Sequence, residues 1–91
     1  MTAPKDVNRT ADTIMRRIVI SGPPPVDVLD VTGPLEVFSN VPGYQVMVVS
    51  TDGAPELRTN RGITLGGAVP HDSVSGLIDT LIVAGGPGAA G

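Results

Sequence analysis

Few side chains in this 91-residue chain have the chemistry to act on another molecule. There is no cysteine, so no disulfide framework, thiolate metal site or cysteine nucleophile exists within it. Asp30 is the leading acid. It sits in the apolar run Val28-Leu29-Asp30-Val31, just after the loop Gly22-Pro23-Pro24-Pro25. An acid held at the carboxyl edge of a sheet would be partly desolvated, which suits it to proton transfer or to hydrogen-bonding a nucleophile. The same position also fits an acid placed at a helix start, where the macrodipole favours negative charge. Asp27 and Glu36 fit solvated positions better.

The remaining candidates are weaker. His71, the single histidine, lies on the polar stretch Pro70-His71-Asp72-Ser73 with no second ligand near it, so no metal site is expected. Ser73 and Ser75 stand outside any GxSxG turn. Arg58 and Arg61 fit solvated strand and turn positions. Gly86-Pro87-Gly88-Ala89-Ala90-Gly91 spells GxGxxG after an apolar run, a context in which a dinucleotide pyrophosphate rests on a helix N-terminus. That fingerprint normally opens a domain and has a ribose-binding acid about 20 residues on. The alternative is a glycine-rich strand-to-loop turn in which backbone amides approach a ligand or another loop. No cofactor is called for.

The elements that must position these residues follow from the hydrophobic pattern. Arg17-Ile18-Val19-Ile20-Ser21-Gly22 is a continuous β-branched run stopped by glycine and three prolines, which predicts a strand covered on both faces. Val28, Leu29, Val31, Leu35, Val37 and Phe38 recur at helical spacings and predict a helix within about 28–40. Gly33-Pro34 interrupts it. Either Thr32 caps a helix with Pro34 in its first turn, or the helix begins near Val28 and kinks. Tyr44-Gln45-Val46-Met47-Val48-Val49-Ser50 predicts a second strand, parallel to the first, completing a βαβ unit of about 30 residues. Glu56–Thr59 and Gly62–Leu65 alternate polar and apolar around Asn60-Arg61-Gly62, as a half-exposed two-stranded excursion does. Residues 66–78 form a polar connection in which Val69, Val74, Leu77 and Ile78 are candidates for burial. Asp79-Thr80-Leu81-Ile82-Val83-Ala84 predicts a buried central strand running into the glycine loop.

The fold class is therefore α/β, a parallel sheet of the flavodoxin-like three-layer kind, incomplete because one helix of moderate length cannot cover both faces of three buried strands. The ligand site of such a sheet lies at the carboxyl ends of its strands. Residues 1–15 predict a disordered tail, polar and without hydrophobic period, and 16–91 a single partial domain. Leu, Ile, Val and Phe supply 26 of the 91 residues, enough for a core, while only two aromatics are present. The net charge of −3 divides into +2 over residues 1–17 and −5 over 18–91, and an acidic body of that kind repels phosphate backbones. No apolar stretch approaches the length of a membrane span or a signal peptide. A cytoplasmic protein without membrane contact is the simplest expectation.

Taken in order, these motifs carry a resemblance. Arg17-Ile18-Val19-Ile20, Leu29-Asp30-Val31-Thr32-Gly33-Pro34-Leu35-Glu36-Val37-Phe38, Val48-Val49-Ser50-Thr51-Asp52-Gly53 and Asp79-Thr80-Leu81-Ile82-Val83-Ala84-Gly85-Gly86-Pro87-Gly88 resemble the opening half of a ThiJ/PfpI domain, in the class I glutamine amidotransferase-like superfamily. The segment Asp30–Phe38 is the most specific part. It resembles the branch in which the domain is the N-terminal sensor of AraC-type transcriptional regulators, and isonitrile hydratases share much of it. The resemblance covers residues 16–91.

It implies that Asp30 matches the family acid that contacts the nucleophile, and that Gly85 and Gly86 match the loop whose amides face the would-be oxyanion, with Gly88 on the same loop. The family nucleophile, its histidine partner and the C-terminal helix-turn-helix region would all lie beyond position 91. The resemblance thus implies a small-molecule-sensing fragment of a regulator, homodimeric when intact, touching DNA only through a C-terminal region not in this chain. Without a nucleophile these residues would catalyse nothing alone. The alternative is a fragment of an enzyme of the same superfamily, such as an isonitrile hydratase or an amidotransferase-like hydrolase. A third class is a truncated remnant without activity.

Overall fold

The computed structural model describes residues 15–90. The tail expected over 1–15 lies outside the described residues except for Met15, which is exposed. Strand β1 (Arg16–Ser21) is followed by helix α1 (Val28–Ser39), strand β2 (Tyr44–Ser50), the short strands β3 (Glu56–Arg58), β4 (Thr64–Gly66) and β5 (Val69–Pro70), a 3-10 turn (His71–Ser73), strand β6 (Thr80–Val83) and a final helical turn α2 (Pro87–Ala90). The main sheet has four strands in the order β5-β2-β1-β6, and every pairing in it is parallel. Ile18 stands opposite Val46 on one side and Thr80 on the other. The chain thus leaves β1 towards β2 and later returns to the opposite side of β1. The fold is α/β with a parallel sheet and two helices.

Helix α1 resolves the open choice at Gly33-Pro34. It begins at Val28 and runs through Pro34 to Ser39, with Asp27 as N-cap residue. Pro34 has no N–H for the Asp30 carbonyl, and the Thr32 hydroxyl donates to the Val28 carbonyl at 3.0 Å in the turn before it. Asn40 ends the helix and its side-chain amide donates to the Glu36 carbonyl at 2.7 Å. The helix lays Val31, Leu35 and Phe38 against Ile18, Ile20, Val46, Val48 and Ile82 of the sheet. Ile20 and Val31 are fully buried, and Phe38 meets Tyr44 edge-on with ring centroids 5.8 Å apart. The β3–β4 hairpin closes one end of this layer with Leu57, also fully buried.

The other face of the sheet is covered differently. Among the described residues the 3-10 turn His71–Ser73 is the only helical piece between β5 and β6, and residues 74–79 run on to the far sheet edge as an irregular segment. Arg17 ties that segment down. Its guanidinium donates to the carbonyls of Ser75 and, at 3.3 Å, Leu77, and a second nitrogen approaches the Met47 sulfur at 3.3 Å. The Asp79 carboxylate accepts the Arg17 N–H at 2.7 Å, and the Asp79 N–H returns a bond to the Arg17 carbonyl at 2.9 Å.

Three expectations change here. The connection 66–78 contains a short strand, β5, paired with Val49 and Ser50 of β2. Leu77 and Ile78, expected to bury, are exposed, Leu77 to 87%. The apolar run 79–84 is not a central strand in this chain but an edge strand, with Leu81 and Val83 more than half exposed. The physical reason is shared by the last two: the irregular crossover lies over Val19, Ser21 and Val49 of that face and leaves Leu81 and Val83 of β6 exposed. Among the described residues no helix is long and apolar enough to cross a membrane.

Candidate functional site

The carboxyl ends of β1 and β6 lie side by side where the chain path reverses, and two loops meet there. Residues 22–27 leave β1 and carry the cis peptide between Pro24 and Pro25. Residues 84–88 leave β6. The Ala84 N–H donates to the Ser21 carbonyl at 2.7 Å, continuing the ladder past the strand ends. Gly22 is needed at this contact because a Cβ there would stand 2.8 Å from the Ala84 carbonyl oxygen.

Asp30 and Gly85, separated by 55 residues in sequence, come together at this junction. The Gly85 N–H donates to Asp30 Oδ2 at 2.9 Å, and the Gly85 carbonyl accepts the Asp27 N–H at 2.8 Å. Gly85 is thereby clasped from both sides by the first turn of α1. A Cβ on Gly85 would lie 3.2 Å from Asp30 Oδ2 and 3.8 Å from Asp27 Oδ2, so both carboxylates converge on it. The expectation that Asp30 is partly buried does not hold: the residue is exposed, in the first turn of the helix. Its carboxylate sits both where an acid at a helix start belongs and against the glycine loop.

The glycine loop is mostly committed to its own chain. The Gly88 N–H donates to the Pro25 carbonyl at 3.0 Å, and the Gly85 N–H to Asp30. Among the described residues the Gly86 N–H makes no backbone hydrogen bond. Gly86, at φ +131°, would place a Cβ 2.7 Å from the Asp27 nitrogen, and Gly88 would place one 2.0 Å from the Pro23 carbonyl oxygen. These glycines therefore serve close approach of two backbone segments. The space beside them that a pyrophosphate would need is filled by residues 23–27, so the dinucleotide reading of GxGxxG loses its support.

An open cleft of about 430 Å³ adjoins the junction and is lined by Asp27, Leu29, Asp30, Thr32, Asn60 and Arg61 among others. Asn60, at the tip of the β3–β4 hairpin, was not legible as a site residue. Its side-chain amide donates to Asp27 Oδ1 at 2.7 Å, its N–H to the Val26 carbonyl at 3.0 Å, and its Oδ1 is buried without a partner. Asp27 likewise departs from the solvated role expected of it. The only sequence signal was the Asn-Arg-Gly turn itself, which predicts a hairpin and says nothing of what the hairpin tip touches.

The other candidates stay apart from this junction. His71 is exposed beside Asp72, with Nε2 2.9 Å from Oδ1, and Arg58 is exposed 3.9 Å from Asp52. Among the described residues no three of His, Asp and Glu gather as a metal site. The junction as it stands holds the Asp30 carboxylate against the Gly85 amide. It can accept and donate hydrogen bonds to a small polar ligand. None of the protein-family models, curated proteins or solved structures compared with this chain matches it.

Proposed function

We propose that the chain is the N-terminal portion of a ThiJ/PfpI-like ligand-sensing domain of an AraC-type transcriptional regulator, built on a flavodoxin-like sheet. The observation that carries this reading is the 2.9 Å hydrogen bond from the Gly85 N–H to Asp30 Oδ2. The acid and the glycine loop that the sequence pattern pairs with a family site are 55 residues apart, and they meet at the carboxyl end of the parallel sheet, where open α/β sheets bind ligands. In this reading a small molecule rests over Asp30 and the Gly85–Gly88 loop, with the Gly86 amide as its backbone donor. DNA contact and a homodimer's geometry belong to residues after Gly91. No cysteine is present in residues 1–91, so in this reading a cysteine nucleophile would have to come from residues after Gly91.

Reading the coding DNA past codon 91 tests this. The expected result is an open frame through a strand-to-helix nucleophile elbow and then a basic helix-turn-helix segment. A frame that closes after one α/β domain overturns the regulator reading in favour of a superfamily enzyme. A stop at codon 92 overturns both.

A further inference from the structure

We propose that Met47 is an oxidative modification site, whose sulfoxide tightens the Arg17 anchor on the segment between β5 and β6. Met47 stands opposite Val19 in the β1–β2 ladder and alternates with Val46 and Val48, which pack towards α1, so its side chain lies on the other face. It is half-buried there. Its sulfur is 3.3 Å from Arg17 Nη2, while Nη1 of the same guanidinium donates to the carbonyls of Ser75 and, at 3.3 Å, Leu77. Nη2 and Nε form one edge of the planar cation. On that edge Arg17 Nε is buried without an acceptor. The Asp79 carboxylate does not relieve it, because Oδ2 takes the Arg17 main-chain N–H at 2.7 Å. A buried donor of a charged group without a partner is costly, and a thioether sulfur is only a weak acceptor. An oxygen is missing where the sulfur stands.

Oxidation of Met47 supplies that oxygen in place. With hydrogen peroxide as oxidant, a sulfur lone pair attacks one peroxide oxygen and the S–O bond forms as the O–O bond breaks. The released hydroxide takes the proton of the transferred oxygen and leaves as water, so sulfur is oxidised by two electrons and the peroxide is reduced. The sulfoxide oxygen is a strong acceptor and takes the N–H groups of Nε and Nη2 in charge-assisted bonds. Nη1 keeps its bonds to Ser75 and Leu77, which lie on the other side of the guanidinium. The anchor thus gains on one edge without losing on the other. Residues 74–79, which belong to no strand or helix, then open less often. Two thiols, through a methionine sulfoxide reductase, return the sulfoxide to thioether and water with formation of a disulfide. Arg17 is at the start of β1, whereas Asp30 and Gly85 meet beyond its carboxyl end, so the inference stands whether or not the regulator reading holds.

Proton–nitrogen correlation NMR of the full chain before and after hydrogen peroxide tests it, with peptide mass spectrometry locating the added oxygen. The expected result is one oxygen on Met47 with an unchanged far-ultraviolet circular dichroism spectrum, and a downfield shift of the Arg17 Nε–H signal. The amides of Arg17 and Asp79, which bond to Asp79 Oδ2 and to the Arg17 carbonyl, should exchange with solvent about threefold or more slowly. Met47→Leu should show none of these changes although Met1 and Met15 still oxidise. Met47→Gln carries a carbonyl oxygen on an unbranched side chain and should reproduce them without oxidant. Arg17→Lys keeps the charge and removes the fork, so oxidation should then slow neither amide. Met47 left unoxidised until the fold is lost overturns the proposal. So does an Nε–H signal that stays in place on oxidation, amide exchange that quickens, or the same response in Met47→Leu.

Discussion

The two faces of the parallel sheet are made of the same kind of residue and come to opposite ends. On the α1 face, Ile18 and Ile20 are almost wholly buried, and Val46, Val48 and Ile82 pack beside them. On the opposite face, Val19 and Val49 are buried while Leu81 and Val83 of the neighbouring strand are exposed. The strands do not differ in composition enough to cause this. What differs is the connection laid over each face: a twelve-residue helix on one, an irregular crossover pinned by Arg17 on the other. Burial here is a property of what crosses the strand, and the β-branched run alone only makes burial favourable.

The largest effect that would break this comparison comes from the covered face. Ile20→Ala should cost about 2–5 kcal/mol in urea unfolding, enough to leave a domain of this size mostly unfolded, because the side chain is fully enclosed. Leu81→Ala, measured in dilute solution, should stay within about 0.5 kcal/mol. Equal losses at the two positions would show that β6 is covered in solution.

Gly88→Ala comes next, at about 1–3 kcal/mol, since its Cβ would press into the Pro23 carbonyl and force the two loops of the junction apart. Thermal unfolding reads it, and an unchanged melting temperature would remove the glycine loop from that packing. Ser21→Ala should cost about 1 kcal/mol, through loss of the buried bond from its hydroxyl to the Val49 carbonyl at 2.6 Å. This residue lies on the open face, so a loss as large as that at Ile20 would mean the face is better packed than its exposed neighbours indicate.

The smallest effect belongs to the candidate site. Asp30→Asn replaces an exposed carboxylate and should change stability by about 0.5 kcal/mol or less. It should nonetheless speed hydrogen exchange at the Gly85 amide, which Asp30 Oδ2 holds at 2.9 Å. Unaltered exchange would separate the acid from the glycine loop and return Asp30 to a helix-start role.

Much of the local structure was legible because its causes are local. Ile18-Val19-Ile20 and Val46-Met47-Val48-Val49 form strands as their β branching predicts, and the α1 stripe of Val31, Leu35 and Phe38 faces the core as its spacing predicts. The hairpin around Asn60-Arg61-Gly62 follows from turn chemistry. Strand β5 was missed because two residues, Val69 and Pro70, carry no periodicity. Leu77, Ile78, Leu81 and Val83 were misjudged because apolar character predicts a preference for burial, and no rule of sequence says which partner arrives to provide it. In the site, Asp30 and the glycine loop were visible from residue type, whereas the grip of Asn60 on Asp27 across 33 residues was not.

Sequence by itself determined the α/β alternation, the absence of any thiol chemistry within the chain, and the places where glycine stands. Those depend on residue type and on neighbours a few positions away. Only the tertiary structure decided that Gly85 lies against Asp30, that the Gly88 amide turns inward, and that one sheet face is open. Each of these depends on segments far apart in sequence arriving within a hydrogen bond's length of each other, or failing to arrive at all, and that is settled by the path of the chain as a whole.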